Sequence, residues 1–200
     1  MPDQPTSNRS TIVNVPNQLT VSRLLLSIVL FVLIAFKQFL PATIVFIVAA
    51  STDWLDGFIA RRYGLVTVLG RILDPFVDKV IICGTFIFLV AEPLSELKAW
   101  MAVVVVGREL LVTALRGYLE QQGADFSASM SGKLKMVFQC VAAGMSLGYL
   151  HYLSRGASVD PELQRMFLYA LRGAIWTAVG LTVWSGVEYI LSLIHISEPT

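Results

Sequence analysis

Charged residues are scarce in this chain. Asp, Glu, Lys and Arg make up 14% of its 200 residues, against 56% hydrophobic ones, where an ordinary soluble domain carries about 25% charged. That shortage argues against a conventional soluble globule and predicts a single polytopic membrane domain. The few basic residues scatter near the ends of apolar segments and the net charge is only +1, so no nucleic-acid partner is expected. Cysteine is nearly absent as well. Cys83 and Cys140 each lie inside an apolar run without CxxC spacing, which argues against a disulfide or zinc site and for small core residues. Of the two histidines, His151 falls at a segment end and His195 in the C-terminal stretch, and neither is expected at a site.

Against that apolar background, four carboxylates stand together between two long apolar segments: Asp53, Asp56, Asp74 and Asp78. An ionisable group at membrane depth costs roughly 2.5–3.5 kcal/mol on the lenient insertion scale, so such a cluster is a site hypothesis by default. Asp53 and Asp56 are three residues apart and Asp74 and Asp78 four apart, so on helices each pair shares a face. If the two helices lie side by side the pairs can converge. Four mutually repelling carboxylates then call for a hard divalent cation such as Mg²⁺ or Mn²⁺, which takes oxygen ligands. Gly57 and Gly70 remove side chains beside the acids, where something bulky could approach the backbone. Arg61 adds a permanently charged donor suited to a phosphate bound together with the metal. The constellation reads as a metal-diphosphate centre.

Six spans are expected, near 24–36, 42–60, 72–90, 100–119, 134–153 and 167–191, each close to the ~20 residues that cross a bilayer. Ahead of the first, Val15-Pro16-Asn17-Gln18-Leu19-Thr20-Val21-Ser22-Arg23 mixes apolar and polar residues and predicts a short interfacial juxtamembrane helix entered through Pro16. Arg23 itself reads equally well as a snorkelling anchor. Residues 1–14 read as a disordered polar tail with no cleavable-signal pattern, and 15–191 as the membrane domain. The N-terminus, the 61–71 loop and the 117–133 loop fall on one side. Together with the helix ends beside them, they hold Arg9, Arg23, Arg61, Arg62, Arg71, Arg116, Lys133 and Lys135. The other side holds or borders only Lys37, Lys98, Arg155 and Arg165. By the positive-inside rule, the N-terminus and the acidic site face the cytoplasm.

The fourth segment carries Gly107-Arg108-Glu109, with Arg116 eight residues after Arg108 and so on roughly the same helical face. Glu109 is a candidate helix–helix partner. Lys133 and Lys135 open the fifth segment on the same side. Lys133, Lys135 and Arg116 sit where anchoring to lipid head groups is the usual role, whereas Arg108 lies deeper and is expected to be paired or functional. Gly144, Gly148, Gly173 and Gly180 are expected to permit close helix packing, and Trp54, Trp100, Trp176 and Trp184 to pack or to form an interfacial belt.

The order Asp-x-x-Asp-Gly-x-x-Ala-Arg, eight residues, Gly-x-x-x-Asp-x-x-x-Asp, filled here by Asp53, Asp56, Gly57, Ala60, Arg61, Gly70, Asp74 and Asp78, resembles the signature of the CDP-alcohol phosphatidyltransferases. The stretches PNQLTVSR, GRELLVTALR and GKLKM are similar to those of its bacterial phosphatidylglycerophosphate synthase branch, although Met136 stands where a Thr is expected. The resemblance implies an all-α integral membrane enzyme of the inner membrane, with the six spans above, acting on CDP-diacylglycerol and glycerol 3-phosphate among membrane lipids as a homodimer. It implies two divalent ions, Mg²⁺ or Mn²⁺, held by Asp53, Asp56, Asp74 and Asp78, and Asp78 as general base. Asp53, Gly57, Arg61 and Gly70 would bind the nucleotide and diphosphate. Arg108, Arg116, Lys133 and Lys135 would take the acceptor's phosphate.

Two alternatives stand beside this reading. The same signature serves acceptors such as serine, inositol, inositol phosphate and phosphatidylglycerol, although the basic residues favour a phosphorylated one. A divalent-cation transporter would also use intramembrane acids, but the opposite half of the membrane offers none to complete a pathway. The last nine residues, 192–200, resemble an adapter read-through sequence, which raises the question of a non-native tail; no function is drawn from them.

Overall fold

The structure, a computed structural model, describes residues 15–63, 68–121, 130–154, 156 and 160–197, with backbone only for 15–20, 53–63, 68–75, 118, 120, 121, 131 and 193–197. Every long apolar run forms a helix, because a backbone without water partners has to satisfy its own donors and acceptors. The helices are α1 (Val15–Ala35), α2 (Phe39–Tyr63), α3 (Val68–Val90), α4 (Ala99–Gln121), α5 (Met130–Ser154) and α6 (Pro161–Ser197). No strand occurs among the described residues. The expected interfacial helix is not a separate element. From Val15 to Ala35 the backbone is one continuous helix, since Pro16 sits in the first turn, where its missing N–H costs nothing. The expected disordered tail, 1–14, lies outside the described residues, and α6 continues through position 192 to Ser197.

Local chemistry ends the helices where the sequence turns. After α1, Lys37 takes a left-handed φ of 57°. Its N–H reaches the Ile34 carbonyl at 2.9 Å and that of Gln38 the Leu33 carbonyl at 2.8 Å, the paired closing bonds of a Schellman cap. Asp160 caps α6, its Oδ1 accepting from Glu162 N–H at 3.0 Å, with Pro161 at the first helical position. Between α3 and α4, Ser95 is fully buried; its hydroxyl donates to Leu89 O at 2.6 Å and its carbonyl accepts from Ser146 at 3.0 Å. Ion pairs tie this end of the bundle together, Lys37 to Glu92 at 3.6 Å and Arg172 to Glu96 at 2.9 Å.

Apolar side chains face outward as well as inward, and several polar ones are buried. Leu25, Ile28, Val32, Ile44, Val103, Leu110, Val137 and Trp184 are exposed, while Arg23, Ser27, Thr85, Glu109, Lys135, Gln139, Thr182 and Ser185 are buried. This is what a bilayer selects, since lipid tails solvate apolar side chains and polar groups find partners only within the bundle. Among the described residues, two helical stretches are long and apolar enough to cross a membrane by themselves, Gly132–Ser154 and Pro161–Ser192, and Val21–Ala35 and Phe39–Thr52 are shorter apolar helices.

Helix α1 packs on α2 and α3, α3 on α4 and α5, α5 on α2 and α6, and α4 on α6. Phe86, Leu30, Ile34, Leu147 and Leu171 fill the shared core. The close approach of α1 to α3 depends on Gly84, where an added Cβ would lie 2.2 Å from the Phe31 ring. That ring is stacked on Phe88 at 5.1 Å and cannot simply swing aside. Gly84→Leu is therefore expected to lower stability by about 1–3 kcal/mol through overpacking, visible as a fall in apparent Tm in detergent. By contrast, Gly173 and Gly180 face open space, while Gly144 and Gly148 make ordinary contacts with Phe46 and Phe167 at 3.6 and 3.7 Å. The expectation of packing glycines in the last two helices thus holds for α5 and fails for α6.

Candidate active site

At the end of the bundle away from the Lys37–Glu92 and Arg172–Glu96 pairs, a cleft of about 180 Å³ opens between α3, α4 and α5. Asp78, Lys79 and Ile82 line it from α3, Glu109 and Arg116 from α4, and Lys135, Met136 and Gln139 from α5. A small recess adjoins it, walled by Ala49 and Ala50 of α2, Asp78, Ile81 and Ile82 of α3, and Met136 and Cys140 of α5. Asp78 therefore looks both ways, toward the cations and toward α2.

The remaining acids are related to the recess only by helical register. Positions 49, 53 and 56 recur at four and three residues along α2, and 74, 78, 81 and 82 along α3, so each set occupies one helical stripe. Ala49, on the first stripe, is fully buried against the recess that Asp78 lines. The side chains of Asp53, Asp56, Arg61 and Asp74, and the surroundings of Gly57 and Gly70, lie outside what is described. Among described side chains, no group of three acids, histidines or cysteines gathers to hold a metal. By its chemistry, four carboxylates, the set of donors suits a hard divalent ion.

Ion pairs and hydrogen bonds position the described part of the site. Arg23, on α1, reaches Asp78 Oδ1 through Nη1 at 2.6 Å, with its own side chain 3% exposed. Glu109 Oε1 receives both Lys135 Nζ and, at 3.3 Å, Arg108 Nη1. Arg108 Nε donates to Ser185 Oγ at 3.0 Å, and Arg116 Nη2 to the Tyr189 hydroxyl at 2.8 Å. Gln139 donates to Thr182 at 2.9 Å, and the Thr182 hydroxyl donates in turn to the Ala178 carbonyl at 2.6 Å. In this way α6 braces the cleft without lining it. Among the described side chains, five cations, Arg23, Lys79, Arg108, Arg116 and Lys135, stand in or beside the cleft with Asp78 and Glu109, and Glu188 lies near Arg108. The α4 and α5 walls, with Arg116 and Lys135, suit an anion.

Of the cations singled out in the sequence, Arg116 and Lys135 line the cleft and Arg108 is one ion pair away, whereas Lys133 is exposed at the start of α5. Residues two apart on a helix point roughly 200° apart, so Lys133 and Lys135 cannot share a face. Arg23 is a site residue and not a snorkelling anchor, for its guanidinium is buried against Asp78. Lys79, Gln139, Ser185 and Tyr189 went unremarked in the sequence. A charge inside an apolar run could have signalled Lys79, but nothing local marks Tyr189. Cys83 and Cys140 are half-buried and not joined to each other in a disulfide, as expected of small core residues.

The sequence profile of the CDP-alcohol phosphatidyltransferases matches residues 13–184, and the chain belongs to that family. It is therefore an enzyme of the transferase class, in a family of phospholipid biosynthesis. Its relatives sharpen the comparison. A Bacillus subtilis protein is 37% identical over 192 residues, covering 88% of this chain and 93% of its own. An Escherichia coli K12 protein is 33% identical over 183 residues, with the same coverage of 88% and 93%. An Arabidopsis thaliana protein is 29% identical, covering 93% of this chain and 82% of its own. The two bacterial proteins carry the name CDP-diacylglycerol–glycerol-3-phosphate 3-phosphatidyltransferase, and the plant protein carries the same name with the number 2.

Proposed function

We propose that the protein transfers the phosphatidyl group of CDP-diacylglycerol to glycerol 3-phosphate, forming phosphatidylglycerophosphate and releasing CMP. The observation that carries this reading is a cleft with Asp78 of the signature on one wall and Arg116 and Lys135 on others. A diphosphate held with metal on the acidic side and a phosphate-bearing alcohol on the cationic side would meet between them. The names of the relatives point the same way.

Asp53, Asp56, Asp74 and Asp78 would hold two Mg²⁺ or Mn²⁺ ions, which when bound neutralise the diphosphate and stabilise charge on the departing CMP. Asp53, Gly57, Arg61 and Gly70 would wall the nucleotide. Asp78 takes the proton of the acceptor hydroxyl as that oxygen attacks the lipid-bearing phosphorus. The phosphorus–oxygen bond to CMP breaks and CMP leaves with the electron pair. Arg108, Arg116 and Lys135 hold the acceptor's phosphate, with Lys133 at the entrance. Arg23, freed from Asp78 when the diphosphate arrives, supplies a further positive charge. Helices α1 to α6 each cross the inner membrane, the cleft and the N-terminus face the cytoplasm, the acyl chains leave between helices into the bilayer, and the working unit is a homodimer.

The test is CMP release by purified protein in detergent with CDP-diacylglycerol, comparing glycerol 3-phosphate with serine, inositol, inositol phosphate and phosphatidylglycerol. Only glycerol 3-phosphate is expected to stimulate release. Another preferred acceptor would replace the product, and no release from folded protein, together with metal uptake into liposomes, would point to cation transport. Chelation with EDTA is expected to bring release to background, and added Mg²⁺ or Mn²⁺ to restore it.

A further inference from the structure

We infer that Tyr189, on α6, is a positioning residue that holds Arg116 ready to receive the acceptor's phosphate; the inference rests on the proposed use of a phosphorylated acceptor. Tyr189 lies beyond the stretch matched by the family profile, which ends at 184. It is 4% exposed, and its hydroxyl accepts from Arg116 Nη2 at 2.8 Å. Its ring also carries two guanidinium groups, those of Arg108 and Arg116, each 6.0 Å from the centroid.

Two cations near one ring repel each other, and they stay together only where something attracts both. The negative face of an aromatic ring does so without a formal charge. An acid in the place of Tyr189 would hold Arg116 as well, but would cancel the charge that the phosphate has to meet. A tyrosine fixes the guanidinium and leaves its charge available. Arg108 is held by the same stretch of α6. Its Nε donates to Ser185, one turn before Tyr189, and an added Cβ on Gly186 would lie 3.4 Å from the Arg108 Cγ. Of the two guanidiniums Arg116 is the one that lines the cleft, and its buried Nε has no acceptor among the described residues. Arg108 already spends Nη1 on Glu109. Of the two arginines, Arg116 is therefore the better placed to meet the phosphate, and the geometry assigns its orientation to Tyr189.

The experiment measures KM for glycerol 3-phosphate and for CDP-diacylglycerol separately, on full-length wild-type protein, Tyr189→Phe and Tyr189→Leu in detergent, with apparent Tm for each. Tyr189→Phe keeps the ring and loses only the hydroxyl, and is expected to raise KM for glycerol 3-phosphate by about 10-fold, the lower end of the scale of a hydrogen bond to a charged group. Tyr189→Leu loses the ring as well and is expected to raise it by about 30- to 100-fold, while KM for CDP-diacylglycerol stays within about twofold in both. Inorganic phosphate, as a competitive inhibitor against glycerol 3-phosphate, should weaken in the same order. A merely structural Tyr189 would lower Tm and shift both KM values together, and that result overturns the inference. If Tyr189→Leu does not fold, Tyr189→Phe decides alone, and an unchanged KM for the acceptor overturns it. A wild-type protein that uses glycerol 3-phosphate while both variants keep its KM removes only this inference. A wild-type protein that prefers an acceptor without phosphate removes the proposed function as well.

Discussion

Asp78→Asn should reduce CMP release by about 10²- to 10⁴-fold, the usual contribution of a positioned general base, while CDP-diacylglycerol binding survives in part. The amide keeps the shape of the carboxylate and loses its ability to take the acceptor's proton. Asp78 also pairs with Arg23 at 2.6 Å, in a bridge with one side chain 3% and the other 23% exposed. Losing one partner of a buried pair costs about 3–5 kcal/mol, and this pair is buried on one side only, so a smaller loss of stability is expected alongside the loss of turnover. The two effects separate experimentally. Turnover per folded molecule reports on the base, and apparent Tm reports on the pair. Near-normal turnover in folded Asp78→Asn protein would remove Asp78 from the chemistry and leave it a role in metal binding alone.

Glu109→Ala should destabilise the bundle by about 3–5 kcal/mol. One carboxylate oxygen, Oε1, serves both Lys135 and Arg108, and all three side chains are at most 10% exposed. Removing it leaves two like charges facing each other at membrane depth. Glu109→Gln keeps one hydrogen-bond acceptor and should cost less. The double variant Glu109→Gln with Lys135→Met should be more stable than Glu109→Ala, because the charge left behind is removed with its partner. Apparent Tm in one detergent across the set measures this. Equal Tm for wild type and Glu109→Ala would mean that water or lipid head groups, and not Glu109, neutralise Lys135 and Arg108.

Residue type and local spacing carried most of this architecture. Six apolar segments became six helices because hydropathy is a property of each segment alone. The acids of α2 and α3 were legible for the same reason, since charge in an apolar run stands out and helical period places each pair on one stripe. Arg23 resisted because a basic residue near a span end looks the same whether it snorkels to a head group or turns inward; only the position of α3 against α1 decides. Gly84 resisted likewise, as its importance lies in Phe31, on another helix. Lys133 and Lys135 were grouped by adjacency when their spacing of two residues already separates them on a helix. Tyr189 had no signal at all: its partner Arg116 is 73 residues earlier, and an isolated tyrosine near a span end reads as an interfacial belt residue.

The distance along the chain between Arg116 and Tyr189 bears on biosynthesis. At about 5–20 residues per second, α4 leaves the ribosome several seconds before the helix that holds its arginines. Glu109, next in sequence to Arg108 and 3.3 Å from it, offers a counter-charge at once, so this helix can enter the membrane with its own partial neutralisation. Lys135 follows on α5, and Ser185 and Tyr189 arrive last. The signature aspartates are thus made before the residues of α6 that anchor Arg108 and Arg116, so a truncated product lacking α6 would carry those aspartates without the brace that orients Arg116.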